Sequence, residues 1–336
     1  MNSSKFGVDI AKDVFQVHFV DETSGKIHSE QVKRAHFLAM FVNQKPSLIA
    51  MEACSGSHHW ARELGKMGHE VRLIAGHKVK PFVTGNKNDA LDAKAIWTAM
   101  QQPGMRFVAV KTEAQQAVLA LHRMRELQVK FRTAQINAVR GLVSEFGEVM
   151  GKSRAAFAAE IGAVLAKLSA KVPAQLIDSL RSRVAEIAQL DGGIKELERQ
   201  IRQWFSESPD SKRLEKIPGV GVLTATALVA SIGEVKQFKS GRELAAWLGL
   251  VPKQTGSGGK VKLHGISKRG DTYLRTLLIH GARAVLTHQK NPSEWLTNLR
   301  CRRPMNVVLV AQANKTARVV WALLAHQSDY QAPLNA

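Results

Sequence analysis

Apolar and polar residues alternate over the first twenty positions. Phe6, Val8 and Ile10, then Val14, Val17 and Phe19, precede a polar turn at Asp21–Lys26. A period of two predicts extended chain. A short apolar strand is predicted at Ser47–Ala53, then a helix from about Ser57 to Met67 stopped by Gly68, then a strand at Glu70–Ala75. Strands alternating with helices predict a sheet covered by helices over residues 1–110.

The period then lengthens. Val118, Leu121, Met124, Leu127, Phe131, Ala134, Ala138, Leu142 and Phe146 advance 28 residues in eight steps. Ile177, Leu180, Val184, Ile187, Leu190, Ile194, Leu197, Ile201 and Phe205 do the same. A mean step of 3.5 held over four heptads is a coiled-coil period, which makes residues 111–207 a helical coiled-coil region. Gly192-Gly193 is expected to interrupt the second helix. Two outcomes fit: dimerisation or a rigid arm, and a helical hairpin packed on its own chain. Residues 208–336 read as a mainly helical domain of short helices joined by Gly-rich turns.

Length and composition narrow the setting. A chain of 336 residues with 45% hydrophobic content supports two or three folded units. Lys and Arg number 48 against 28 Asp and Glu, a net charge of +20. The excess concentrates between Val251 and Val320, where 13 basic residues face only Asp271 and Glu294. Such a surplus points to a polyanionic partner, nucleic acid above all. Two cysteines, Cys54 and Cys301, support neither a disulfide framework nor a zinc site. Met1–Lys5 runs straight into a strand with no signal-peptide pattern, and no apolar run is expected to span a bilayer. The expectation is a soluble cytoplasmic protein without a membrane partner.

Four carboxylates stand in unusual company. Asp9 lies within the first strand between Val8 and Ile10, and Glu52 follows Leu48-Ile49-Ala50-Met51. A carboxylate amid apolar strand residues is costly unless it is paired or holds a cation. Asp89 and Asp92 open a predicted helix, and their i, i+3 spacing places them on one face. Singly, Asp89 reads as an N-cap, Asp92 as a first-turn acid and Asp9 as a partner for Lys12. Together, two strands and a helix supply oxygen ligands suited to Mg²⁺ or Mn²⁺. His58-His59 is assigned a surface or partly buried role, and the six tryptophans read as core or interface aromatics.

The C-terminal region carries two glycine-rich features. Ile217-Pro218-Gly219-Val220-Gly221 followed by Thr224–Val229 resembles a helix-hairpin-helix, in which Gly219 and Gly221 would bring backbone N–H groups to a phosphate. A tight turn needing glycine for steric reasons fits the same residues. Gly249–Lys260 contains Pro252 and Ser257-Gly258-Gly259 but lacks the Gly-Lys-Ser/Thr ending of a P-loop. Lys260, Lys262, His264, Lys268, Arg269 and Arg275 follow as expected phosphate contacts.

A first-strand Asp, a Glu ending a later strand and then an Asp pair resemble the RuvC-like branch of the ribonuclease H fold. Gly7–Lys12, Met51–Gly56 and Asn88–Ala93, with the hairpin and the Pro-x-x-x-x-Ser-Gly loop, resemble the DEDD transposases of insertion-sequence family one-ten, including its subgroup with subterminal inverted repeats. The resemblance spans nearly the whole chain. Cys54 and Ser55 replace a frequent Thr-Gly step, and Gly258-Gly259-Lys260 replaces a more Ser-rich loop. It implies a RuvC-like domain at 1–110, the coiled coil at 111–207 and a C-terminal transposase domain at 208–336. It further implies Ser257 as nucleophile, Asp9, Glu52, Asp89 and Asp92 as catalytic metal ligands, and DNA as donor and target. A structured bridge RNA and a homodimer or tetramer belong to the same implication. A junction-resolving endonuclease using metal-activated water, and a non-catalytic nucleic-acid-binding protein, are the alternatives.

Overall fold

The computed structural model describes residues 4–85, 88–289 and 292–331. Met1–Ser3 and Asn86-Lys87, parts of stretches read above, lie outside the described residues. Contacts divide the chain into two compact units: residues 1–113 with 232–237, and residues 114–231 with 238–336. The regions expected at 111–207 and 208–336 thus fall almost wholly within one unit.

The first unit is built on six strands. These are β1 (Lys5–Asp9), β2 (Val14–Val20), β3 (Ile27–Lys33), β4 (Leu48–Glu52), β5 (Glu70–Ile74) and β6 (Phe107–Val108), in the order β3-β2-β1-β4-β5-β6. β1, β4 and β5 run parallel, while β2, β3 and β6 pair antiparallel with their neighbours. The helices are α1 (Ser57–Lys66), the single turn α2 (Gly76–Val79) and α3 (Asp89–Met100). The alternation predicted for β1 decides its two faces. Phe6 and Val8 enter an aromatic core with Phe15, Phe19, Phe37, Phe41 and Trp60. Gly7, one residue out of phase, lies against α3.

Among its described residues, the second unit's regular structure is helical except for one hairpin. α4 (Glu113–Ser144), α5 (Arg154–Leu168) and α6 (Ala174–Glu207) bury a shared core that includes Val139, Val143, Phe157, Leu165, Leu168, Ile177 and Leu180. Arg125 bonds Glu198 and Arg132 bonds Asp191, so α4 and α6 run antiparallel within one chain. The two heptad sets meet different fates. Ile177, Leu180, Ile187, Ile194, Leu197 and Ile201 are buried, whereas Met124, Leu127, Phe131, Leu142 and Phe146 stand exposed. α6 also runs unbroken through Gly192-Gly193, contrary to expectation. A β-carbon on Gly193 would lie 2.7 Å from the Gln128 amide oxygen, so the glycine permits a close approach to α4.

Beyond α6 come α7 (Pro209–Glu215), α8 (Val222–Ile232), α9 (Gly241–Trp247), the hairpin β7 (Pro252–Ser257) and β8 (Lys260–Ile266), α10 (Thr272–His288), α11 (Glu294–Arg302) and α12 (Met305–His326). α12 corrects two expectations. It is long rather than short, and by length and composition it is apolar enough to cross a membrane. Here it buries Val308, Leu309, Ala313, Ala317, Val320 and Leu324, and packs against α7, α9, α10 and α11.

Candidate functional site

The acidic site begins with a cap. Asn88 accepts from the Ala90 backbone N–H at 2.9 Å, so the capping role falls to Asn88 and not to Asp89. Asp89 and Asp92 therefore sit in the first turn of α3, where the helix dipole favours negative charge. Their carboxylates meet that of Asp9, at the end of β1, with ligand oxygens all within 4.8 Å of one another. No ion pair to Lys12 engages Asp9 among the described residues.

Burial, followed by repulsion from Asp92, Asp89 and Glu52, pushes the Asp9 carboxyl up to about 6. Burial and then Asp92 raise that of Glu52. A partly buried carboxylate raised by its acidic neighbours, as Asp9 is, sits in the environment a divalent cation relieves, and hard oxygen donors are the ligands it takes. Glu52 ends β4, but the mutual 4.8 Å spacing unites only Asp9, Asp89 and Asp92. His58 is directed elsewhere, its Nδ1 accepting from the Lys111 backbone N–H.

Two glycines outside the predicted set position these acids. A β-carbon on Gly7 would lie 2.5 Å from the Ala93 carbonyl oxygen and 2.6 Å from the Trp97 β-carbon, so only glycine lets α3 settle on β1. One on Gly76 would lie 2.5 Å from Glu52 Oε1. A glycine inside a strand marks such a close approach, and that was the available signal for Gly7.

Ser257 lies on a hairpin where a loop was expected. Gly258 and Gly259 have φ of 56° and 78°, the two positive values of a primed two-residue turn. Ser257 is thereby paired with Lys260, and Thr255 with Lys262. Paired residues share a face, so Ser257, Lys260, Thr255 and Lys262 project together, and Thr255 Oγ1 meets His264 Nε2 at 2.6 Å. Every one of these residues is exposed. Val261 and Leu263 occupy the other face, 61% and 65% exposed.

The remaining predicted phosphate contacts separate. Lys268 and Arg269 are exposed at the base of the hairpin. Arg275 is not available to phosphate. It is buried, and its guanidinium donates to the Leu248 and Arg269 carbonyls and to Thr272 Oγ1. It anchors the turn that presents its basic neighbours. α7 and α8 flank the turn at Ile217–Gly221. Gly219 within it faces α10, where a β-carbon would lie 2.6 Å from the Gly281 carbonyl oxygen. Its role here is steric, while Gly221 is exposed with open space around it.

A family model described as Transposase matches residues 6–147, and one described as Transposase IS116/IS110/IS902 family matches residues 211–296. A probable family 20 transposase of Pseudomonas aeruginosa is 49% identical, the match covering 98% of this chain and 99% of the relative. The transposase for insertion sequence element IS1111A of Coxiella burnetii is 44% identical, over 97% and 90% of the two chains. The transposase for IS1328 of Yersinia enterocolitica is 35% identical, over 96% and 97%. Matched in both units and end to end by such relatives, this DNA-processing enzyme belongs to the IS116/IS110/IS902 family of transposases.

Proposed function

We propose that the enzyme cuts and rejoins DNA through Ser257, with Asp9, Glu52, Asp89 and Asp92 holding Mg²⁺ or Mn²⁺ at the scissile phosphate. The observation that carries the reading is the hairpin face, which offers an exposed hydroxyl opposite Lys260 and diagonal to Lys262. Lys260 and Lys262 hold the phosphate oxygens by charge-assisted hydrogen bonds. Ser257 Oγ forms a bond to phosphorus as a DNA hydroxyl leaves, giving a phosphoserine ester. Attack by a hydroxyl of the joining strand reverses the step, so bond energy is conserved and no ATP is consumed. Asp9, Glu52, Asp89 and Asp92 would hold the divalent ion, which when bound would supply Lewis-acid stabilisation of charge on the phosphoryl oxygens.

The strand order and the carboxylates of β1, β4 and α3 support a RuvC-like reading of the first unit. The surplus of +20 supports a structured bridge RNA beside DNA. The exposed apolar stripe of α4 supports assembly as a dimer or tetramer. Gly221, opening α8, supports phosphate binding by the helical pair, and the setting is the cytoplasm.

One gel tests the reading. The protein is incubated with Mg²⁺, guide RNA and end-bearing DNA, then denatured and resolved for a covalent protein–DNA adduct. Ser257→Ala abolishes the adduct, and so does Asp9→Ala. Cleavage that survives Ser257→Ala and is lost in Asp9→Ala assigns a nuclease using activated water instead.

A further inference from the structure

The second unit contains a groove that the proposed chemistry leaves unused. Its floor is one face of α12, with Val307, Val310 and Ala311 at helical spacing and Val307 49% exposed. Trp295 of α11 stands at its side, 38% exposed. Its volume is about 1180 Å³. From Asn306 to Ala322 the floor runs about 24 Å along the helix, room for several residues of a strand and not for one small molecule.

Charge identifies the occupant. Arg242, Lys315 and Arg318 line the groove as exposed cations, and no carboxylate lines it among the described residues. The Lys315 ammonium sits 4.5 Å over the Trp295 ring, so a cation and an aromatic surface are offered together. An apolar protein segment would gain from the floor but not from an unbalanced cationic rim. A DNA duplex would meet the rim but keep its bases from the floor. An unpaired strand uses both, with bases on apolar and aromatic surface and phosphates on the cations.

Position adds the rest. Pro252, His264 and Ile266 form one wall, and they belong to the hairpin that carries Ser257. We infer that this groove holds the unpaired DNA bases flanking the phosphate that Ser257 attacks. The location of that phosphate rests on the reading of Ser257 given above, while the capacity of the groove for unpaired DNA does not.

Fluorescence anisotropy of a labelled oligothymidylate with the full chain tests it, beside a duplex and an oligouridylate of equal length. Trp295→Ala weakens oligothymidylate binding roughly tenfold, the loss of one stacked base. Val307→Glu, which adds a carboxylate to an exposed floor position, weakens it as much, while Val307→Lys does not. Duplex binding changes less than twofold in all three variants, and melting temperatures confirm that each is folded. Ser257→Ala leaves oligothymidylate binding unchanged, so loss of the nucleophile and loss of the groove are read separately. Unchanged oligothymidylate affinity in both Trp295→Ala and Val307→Glu overturns the inference. An oligouridylate binding tenfold tighter than the DNA overturns it in favour of RNA. A drop in oligomer mass on light scattering with unchanged DNA affinity overturns it in favour of a contact between copies.

Discussion

Gly7 of β1 and Ala93 of α3 are in contact so close that a β-carbon on the glycine would stand 2.5 Å from the alanine carbonyl oxygen. Asp9 lies two residues along β1 from Gly7, and Asp92 directly precedes Ala93. The spacing of these two backbones therefore sets the spacing of the carboxylates. Gly7→Ala forces α3 away from β1 and costs about 1–3 kcal/mol by overpacking. On the proposed function, Mg²⁺ or Mn²⁺ should raise the melting temperature of the wild type, and Gly7→Ala should remove that rise. A variant that melts and titrates as wild type does would show that α3 can yield without disturbing the acids.

Asp9 predicts an inverted response. Its folded carboxyl titrates near 6 against 3.8 ordinarily, so between those values the folded state binds the extra proton. Without metal, the stability tied to this group rises as pH falls through 6 towards 3.8. Asp9→Asn imitates the protonated form. The metal-free variant should melt above wild type at pH 7.5 and lose that advantage by pH 4.5, while showing no shift on adding Mn²⁺. An Asp9→Asn protein less stable than wild type at pH 7.5 would contradict the repulsion assigned here.

Much of the first unit was legible because one physical rule governed it. The alternation at Phe6, Val8, Val17 and Phe19 marks one apolar face, and β1 and β2 turn those residues into the core while Gly7, Gln16 and His18 on the opposite face are covered as well. Asp9 and Glu52 stood out for a related reason, as carboxylates at the ends of apolar strands, whereas Asp89 and Asp92 showed only an i, i+3 spacing at a helix start. What escaped depended on neighbours distant in sequence. The β7–β8 hairpin buries no face, so no hydrophobic period announced it and only Gly258-Gly259 hinted at a turn. The α4 heptads looked like a seam, yet the chain packs α4 through Val118, Ile136, Val139 and Val143 and leaves much of the seam outside. Arg275 read as a phosphate contact because a sequence shows charge but not the carbonyls of Leu248 and Arg269 that enclose it.

The distinction between Arg275 and the hairpin lysines can be measured. Arg275→Gln leaves two carbonyls without their charged donor and should cost about 2–3 kcal/mol in denaturant unfolding. Lys260→Gln and Lys262→Gln, on an exposed face, should leave stability within about 0.5 kcal/mol. Each should reduce the slope of log affinity for DNA against log salt by about one. Destabilisation by the lysine changes, or a stable Arg275→Gln with a reduced salt slope, would exchange the two roles.

The last prediction concerns a histidine outside the proposed chemistry. His122 of α4 is buried between Tyr273 of α10, 2.9 Å from Nδ1, and Thr226 of α8, 3.0 Å from Nε2. The Thr226 hydroxyl donates to the Val222 carbonyl, so it accepts from His122 Nε2–H, and Nδ1 accepts from Tyr273. Every site on the neutral ring is then used, and a second ring proton would displace the tyrosine hydrogen. Burial, with Arg125 nearby, lowers the histidine to about 4 from 6.5. Between those values the unfolded chain takes up a proton that the folded one refuses. The contribution is whole above about 6.5 and disappears as pH falls towards 4, a span worth about 3 kcal/mol at most. His122→Gln cannot titrate, so its stability gap from wild type isolates the effect from every other group. Between pH 7.5 and 5.5 the gap should narrow by about 1 kcal/mol in urea unfolding. A gap constant across that range would mean that the folded protein accepts the proton, and that the three helices are not tied through a neutral ring.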